Sequence, residues 1–231
     1  MPPSTTPTTS TTPTTHTVKQ GEHIASIADA YGFSSWETIW EDDANADLRK
    51  KRPNPNTLLP GDKVAIPERV EKEESCATEK RHRFKCECPP LELRVKFLDV
   101  GGEPIKDGKA RLGLGGDLIT LNTDSEGMIE RRISASAQNS SLRLESKQLG
   151  EPFETTLAIG ELDPIDTRTG QIARFNNLGY NAGPIRDATG PDDQERFKSA
   201  VEEFQCEEKI KPIDGKCEGQ TLEKLKTVHG C

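Results

Sequence analysis

Few side chains in this sequence are equipped for covalent or metal chemistry. Six cysteines stand at 76, 86, 88, 206, 217 and 231, and four histidines at 16, 23, 82 and 229. Cys76, His82, Cys86 and Cys88 provide four soft and borderline ligands, the number that tetrahedral zinc takes. Their spacing does not match: zinc knuckles pair ligands as C-x2-C, whereas here a C-x-C follows Cys76 after a gap of nine residues. A disulfide from Cys76 to Cys86 or Cys88, or free thiols, suits that stretch better than a metal. Asp124 and Glu126 could meet a calcium ion, but Thr-Asp-x-x-Gly is more simply a hairpin turn in which Asp124 bonds its own backbone. Hydrolases of the metal, two-carboxylate and cysteine classes all need their groups gathered in one cleft. No two of the four histidines show ligand or triad spacing, and each falls in a tail, loop, linker or terminus. The sequence therefore predicts no catalytic residue, no metal and no cofactor, and a chain that works by binding.

The elements that must position binding groups are small. A length of 231 residues with 32% hydrophobic and 5% aromatic side chains, 19 Gly and 16 Pro, points to several modules on polar linkers rather than one large core. A formal charge of -8 argues against nucleic acid and anionic lipid, which reward clustered cations. No run approaches 18 apolar residues, so no transmembrane helix is predicted. The N-terminus has neither the basic nor the apolar region of a secretory signal, which predicts synthesis in the cytoplasm. The even cysteine count fits an oxidising destination, so arrival there would use another route.

Residues 1–15 form a Pro/Ser/Thr tail with nothing to bury. Residues 16–68 change character. HTVKQ alternates as a strand, and Ile24, Ile27, Ala28 and Tyr31 recur at helical spacing before Gly32. Ser34 or Ser35 can cap a second helix with Trp36, Ile39, Trp40, Ala44 and Leu48 on its apolar face. The basic run Arg49–Arg52 then falls at that helix's C-terminal end, where the macrodipole favours cations. Pro53 and Pro55 stop the helix, and NPNTLLPGD is a loop delivering the strand KVAIP. Gly21-Glu22-His23-Ile24, Trp36, Asn56, Leu59-Pro60-Gly61-Asp62 and Val64-Ile66-Pro67, in this order, resemble a LysM module. That family folds as βααβ and binds N-acetylglucosamine glycans such as peptidoglycan. The resemblance implies a shallow sugar groove between two loops, carried here by Gly21, Glu22, His23 and Ile24 on one side and by Asn56, Leu58, Leu59, Pro60 and Gly61 on the other. Glu22-His23 replaces the Asp-Thr or Asp-Ser usual in the family.

Residues 69–90 are a charged, cysteine-containing linker. From 91 to 160, alternating segments at Leu91–Phe97, Ala110–Leu114, Ile119–Leu121, Ile129–Ile133, Leu142–Leu144 and Thr155–Ile159 predict a small β-sandwich. Asp99–Ile105 and Asn122–Gly127 resemble Ig-like and prealbumin-like modules of bacterial surface and injection-machine proteins, which implies a spacer or docking role. Residues 161–231 predict three helices. The first is capped by Asp166 or Thr167 and runs to Gly179; the second carries Phe197, Ala200, Val201 and Phe204; the third carries Leu222 and Leu225. Leu178-Gly179-Tyr180, Gly183-Pro184, Asp187, Phe204-Gln205, Asp214-Gly215, Gly219 and Thr221-Leu222 resemble the three-helix peptidoglycan-binding domain. That likeness implies a cleft for wall peptide or glycan, with Tyr180, Gln205 and Asp214 as candidate lining residues. Cys206, Cys217 and Cys231 depart from the family's pattern, and the first two could form a staple between helices.

The expectation is thus a multidomain α+β chain: a βααβ LysM module, a small β-sandwich and a three-helix bundle. Its expected work is non-catalytic binding of peptidoglycan or another N-acetylglucosamine glycan at the bacterial envelope. The module combination resembles LysM proteins of phage tails and of injection machines such as the type VI secretion apparatus, making a spike or baseplate protein a second expected partner. The alternatives are a structural component whose modules dock proteins, and an effector with an unrecognised activity in the β-module.

Overall fold

A computed structural model describes residues 14–69, 75–83, 91–185 and 190–230. The tail up to residue 13, together with Cys86, Cys88, Asp187 and Cys231, lies outside the described residues. Among the described residues are six α-helices and eight strands, the strands forming antiparallel sheets of two, two and four with no closed barrel. The fold is mixed α+β. No helix among these residues is long and apolar enough to cross a membrane. The chain divides into two compact units, Met1–Asn56 with Pro60–Gly160, and Thr57–Leu59 with Glu161–Cys231.

In the first unit, β1 (Thr14–Thr17) pairs with β2 (Lys63–Ile66), Thr15 lying opposite Ala65. Between them, α1 (Ile24–Ala30) buries Ile24, Ala25, Ile27 and Ala28, the face its periodicity predicts. Ser26 closes its first turn, Oγ accepting from His23 N at 3.0 Å and donating to His23 O at 2.8 Å. The single second helix expected from Ser34 or Ser35 to Leu48 does not form. It is replaced by α2 (Glu37–Trp40), a 3-10 turn at Asp43–Asn45 and α3 (Ala46–Lys51). Short polar side chains that bond their own backbone offer an alternative to helix continuation. Here Asp42 Oδ1 accepts from Ala44 N at 2.9 Å, and the chain leaves the helix at that residue.

Asn45 is buried by the same break. Its Nδ2 donates to Ile39 O (2.8 Å) and Ala65 O (2.7 Å), and its Oδ1 accepts from Ala65 N (2.8 Å). The basic run does more than meet a helix dipole. Arg49 donates to the carbonyls of Trp40 and Asp42, and Arg52 turns inward to pair with Asp62 at 2.8 Å, both side chains almost fully buried. Lys51 reaches Asp62 from the solvent side, also at 2.8 Å.

Further along the first unit, β3 (Leu91–Lys96) pairs with β6 (Met128–Ile133). A second sheet runs β5 (Asp117–Asn122), β4 (Lys109–Leu114), β7 (Asn139–Glu145), β8 (Phe153–Ala158). Alternation puts Ala110, Leu112, Leu142 and Leu144 into one buried cluster with Ile129 of β6 and with Phe97 and Ile105 of the adjoining loop. The opposite face carries Arg111, Arg143, Glu145 and Glu154 in partly exposed ion pairs. Asp124 Oδ1 accepts from Glu126 N (2.8 Å) and Met128 N (2.9 Å), the side-chain-bonded turn expected of that motif.

The second unit contains α4 (Arg168–Asn177), α5 (Pro191–Glu207) and α6 (Gly219–His229). Thr167 caps α4, its Oγ1 accepting from Gly170 N at 3.1 Å. Phe175 lies edge-on to Phe197, Phe204 and Tyr180 at centroid separations of 5.8, 5.4 and 6.0 Å, in a core shared with Ile172, Val201 and Leu225. Gly170 must be glycine, because a Cβ there would lie 2.6 Å from Asp163 O and closer still to Pro164 O. The close backbone approach that glycine permits is held by the buried guanidinium of Arg174, which donates to Asp163 O (2.8 Å) and Gly170 O (2.9 Å). Cys206 and Cys217 are both free thiols, which corrects the proposed staple. Cys206 faces solvent on α5, whereas Cys217 sits inside the aromatic core, where burial pushes its thiol up to about 12. Cys76 is likewise a free, exposed thiol; the expected disulfide to Cys86 or Cys88 falls on residues outside those described.

Candidate functional site

Within the first unit, backbone bonds tie the Gly21–Ile24 loop and the strand before it to Pro55 and to the Gly61–Asp62 turn. Ile24 N donates to Pro55 O at 3.2 Å, Val18 N to Asp62 O at 2.9 Å, and Gly61 N to Val18 O at 2.9 Å. Asn56, Pro60 and Gly61 are exposed; Gly21, Glu22 and Leu59 are half-buried. His23, Ile24 and Leu58 are buried, so their side chains do not line a groove, correcting that part of the expectation. Ile24 is among the buried residues of α1, and Leu58 is buried at 5% exposure.

Glu22 is engaged rather than free. Its carboxylate accepts from Lys19 N at 2.8 Å and lies 2.8 Å from His16 Nε2, while His16 Nδ1 lies 3.3 Å from the Tyr31 hydroxyl. Burial raises the Glu22 carboxyl pKa, but the His16 and Lys19 hydrogen bonds outweigh it and hold the group below the usual carboxylate range. His23 is only 4% exposed, and its Nδ1 has no hydrogen-bond partner. Desolvation lowers the pKa of this imidazole. A Cβ on Gly160 would lie 2.9 Å from Gly21 O and 3.2 Å from His23 Cδ2, so residue 160 rests directly on this loop.

In the second unit the three candidates play different parts. Gln205 is 1% exposed and spends its whole amide inside the fold. Its Nε2 donates to Asp214 Oδ1 (2.9 Å), Lys216 O (3.2 Å) and Thr221 Oγ1 (3.0 Å), and its Oε1 accepts from Asp214 N and Gly215 N, both at 3.0 Å. It knots the end of α5 to the start of α6 and has nothing left for a ligand, which corrects its assignment as a lining residue. Asp214 is exposed at the rim of that knot. The Gln205 amide and Lys216 N hold its carboxyl below the usual carboxylate range. Tyr180 is half-buried; its hydroxyl donates to Glu207 at 2.5 Å, and burial together with that carboxylate raises its pKa.

The open concavity of this unit lies elsewhere. A shallow polar groove follows one face of α5, lined by Asn181, Pro184, Asp192, Arg196, Ser199 and Glu203. Its α5 residues fall at helical spacing on one face, a signal available in the sequence but masked by the absence of apolar residues to mark the face. Among the described residues, no group of three His, Cys, Asp or Glu side chains is placed to hold a metal ion. His16 meets Glu22, His82 Nε2 lies 2.8 Å from Ala77 O, and His229 Nε2 lies 3.1 Å from Asn177 Nδ2; with His23, these four rings share no site.

Sequence reasoning missed the buried roles of Asn45, which bonds Ile39 and Ala65, of Arg52, which pairs with Asp62, and of Arg174, which holds Asp163 O and Gly170 O. No periodicity marks which cation of a basic run will turn inward, or which asparagine will leave a helix face. Comparison with protein-family models, characterised proteins and solved structures finds no match to this chain.

Proposed function

We propose that the chain is a non-catalytic adaptor that binds peptidoglycan or a related N-acetylglucosamine glycan. In this reading residues 16–68 are a LysM module, residues 91–160 an Ig-like sandwich and residues 161–231 a three-helix peptidoglycan-binding domain. The observation that carries it is the approach of Gly21–Ile24 to Pro55, by the Ile24 N to Pro55 O bond, between two paired strands with Gly61 N bonded to Val18 O. The backbone donors and acceptors of these loops, with exposed Asn56 and Pro60, suit N-acetyl groups. In the other unit the α5 groove, with Asn181, Arg196 and acidic neighbours, suits the amines and carboxylates of wall peptide. Two such modules on one chain gain avidity, because the second binding event is intramolecular. The same combination suits a protein carried to the bacterial envelope by a contractile injection or secretion machine.

A second reading is that the modules dock protein. It is favoured by the cover of Gly160 over Gly21 and by the burial of His23 and Leu58. Co-sedimentation of the full chain with insoluble peptidoglycan sacculi decides between the two. The adaptor reading expects retention that falls with Asn56→Ala plus Pro60→Ala, falls with Arg196→Ala, and collapses when all three are combined. A chain that stays wholly in the supernatant refutes it and leaves the docking reading, to be pursued by cross-linking.

A further inference from the structure

The corner after β8 is seated on the loop to which the adaptor reading assigns sugar contact. Ile159 N donates to Gln138 O at 2.8 Å, which ties the corner to the residue before β7. Gly160 follows at φ +82, so close that a Cβ there would collide with Gly21 O at 2.9 Å and crowd the His23 ring at 3.2 Å. A groove built to receive a sugar would leave that backbone open. Under the corner, His23 is buried with Nδ1 lacking a partner. A buried polar atom without a hydrogen bond is a standing cost of the closed arrangement, recovered when water reaches it. Closure is therefore opposed from within, as a contact meant to release would be.

We propose that the Ile159–Gly160 corner is an autoinhibitory latch: closed, it covers the Gly21–His23 loop, and glycan binds that loop only when the corner lifts. The inference rests on the adaptor reading for the identity of the ligand, but the latch itself is a property of this chain. A site whose competent form is a minor population binds with its affinity reduced by that fraction. Lifting the latch then strengthens binding without adding any contact to sugar.

The test uses Gly160→Ala in the full chain, with Gly150→Ala as its control. Gly150 has φ +74 and no atom within 4 Å of a built Cβ, so both variants impose a left-handed alanine and only one meets the loop. Gly160→Ala should return the His23 ring titration, followed by NMR, toward the ordinary histidine value. It should also speed amide exchange at Gly21–Ile24 and raise the affinity for triacetylchitotriose by about tenfold, the inverse of an open population near 10%. Gly150→Ala should do none of these.

In the unaltered chain, triacetylchitotriose should shift the Gly160 amide together with those of Gly21–Ile24. That readout holds even if Gly160→Ala folds poorly. Unchanged His23 titration and exchange in a folded Gly160→Ala protein overturn the latch, as does saccharide that moves the loop amides while leaving Gly160 still. If the NMR changes appear but neither protein binds triacetylchitotriose or sacculi, the adaptor reading fails and the latch's role as a glycan gate fails with it. If sacculi hold the chain equally with and without the substitution, the adaptor reading stands and the latch does not.

Discussion

Replacing Gln205 with alanine should cost the second unit about 3 kcal/mol. Five hydrogen bonds are lost, but they do not count equally. Asp214 and Lys216 are exposed, so their groups regain water and add little. Thr221, 3% exposed, loses the amide that donates to its Oγ1, and the half-buried Gly215 N loses its acceptor; each is worth about 1 kcal/mol. The void left in a fully buried position adds about 1 kcal/mol more. At a slope of about 1.5 kcal/mol/M, the urea midpoint should fall by about 2 M.

The two units can be followed separately in the intact chain. Both tryptophans, Trp36 and Trp40, lie in the first unit, so their fluorescence reports that unit. Helical circular dichroism is dominated by α4, α5 and α6, of 10, 17 and 11 residues. Gln205→Ala should move the dichroism midpoint and leave the tryptophan midpoint in place. Gln205→Glu sharpens the test, since it sets a carboxylate beside Asp214 Oδ1 and removes the donor. The introduced carboxyl would have a folded-state pKa above its unfolded value, so stability should be lowest at neutral pH and recover as the pH falls through that raised pKa. If both variants leave the dichroism midpoint within about 0.3 M of the unaltered chain (roughly half of one hydrogen bond's worth), the knot does not hold the bundle together.

Asp62→Ala should destabilise the first unit by about 3 kcal/mol, seen by tryptophan fluorescence, because it removes the carboxylate that pairs with the buried Arg52 guanidinium. Asp62→Ala with Arg52→Met should regain most of that loss. Acid should weaken both units. The folded-state pKa of His229 is lowered from 6.5 to about 4, first by desolvation and then by Arg174. The unfolded chain therefore takes up the proton first, and stability present above pH 6.5 is lost as the pH falls toward 4, a slope in the dichroism signal that His229→Gln should flatten. His23 has the same sign in the first unit, read by tryptophan fluorescence and flattened by His23→Gln. Maleimide at pH 8 should label Cys76 and Cys206 rapidly and reach Cys217 only on unfolding, so equal labelling of all three would contradict the buried thiol.

The strands from Leu91 to Ala158 and the faces of α1, α5 and α6 were legible because alternation and helical spacing act within a few residues. The break at Asp42 was not, since it depends on Asn45 finding Ala65, twenty residues away and on another element. For the candidate site, the loop signals Gly21 and Leu59-Pro60-Gly61 were readable as turns, and backbone bonds at Ile24 and Gly61 tie their edges to the fold. The sequence failed on side chains: a motif position such as Gln205 reads alike whether it faces a ligand or satisfies the fold. In this chain Gln205, Asp214, Gly215 and Thr221 belong together because the one amide binds the other three. The cover by Gly160 left no local signal, since the partner of a glycine without a side chain is decided wholly by where distant elements come to rest.

Asn45 has a consequence beyond its own unit. β2 pairs with β1 along one side, and its other side would present the N–H and C=O of Ala65 to any passing strand. The Asn45 carboxamide takes both, standing in for the strand that is missing. A two-stranded ribbon with an exposed edge is a template on which copies of a protein stack into fibres, most of all where many copies are crowded on one surface. A single side chain thus blunts that edge at Ala65 and denies it to a second strand.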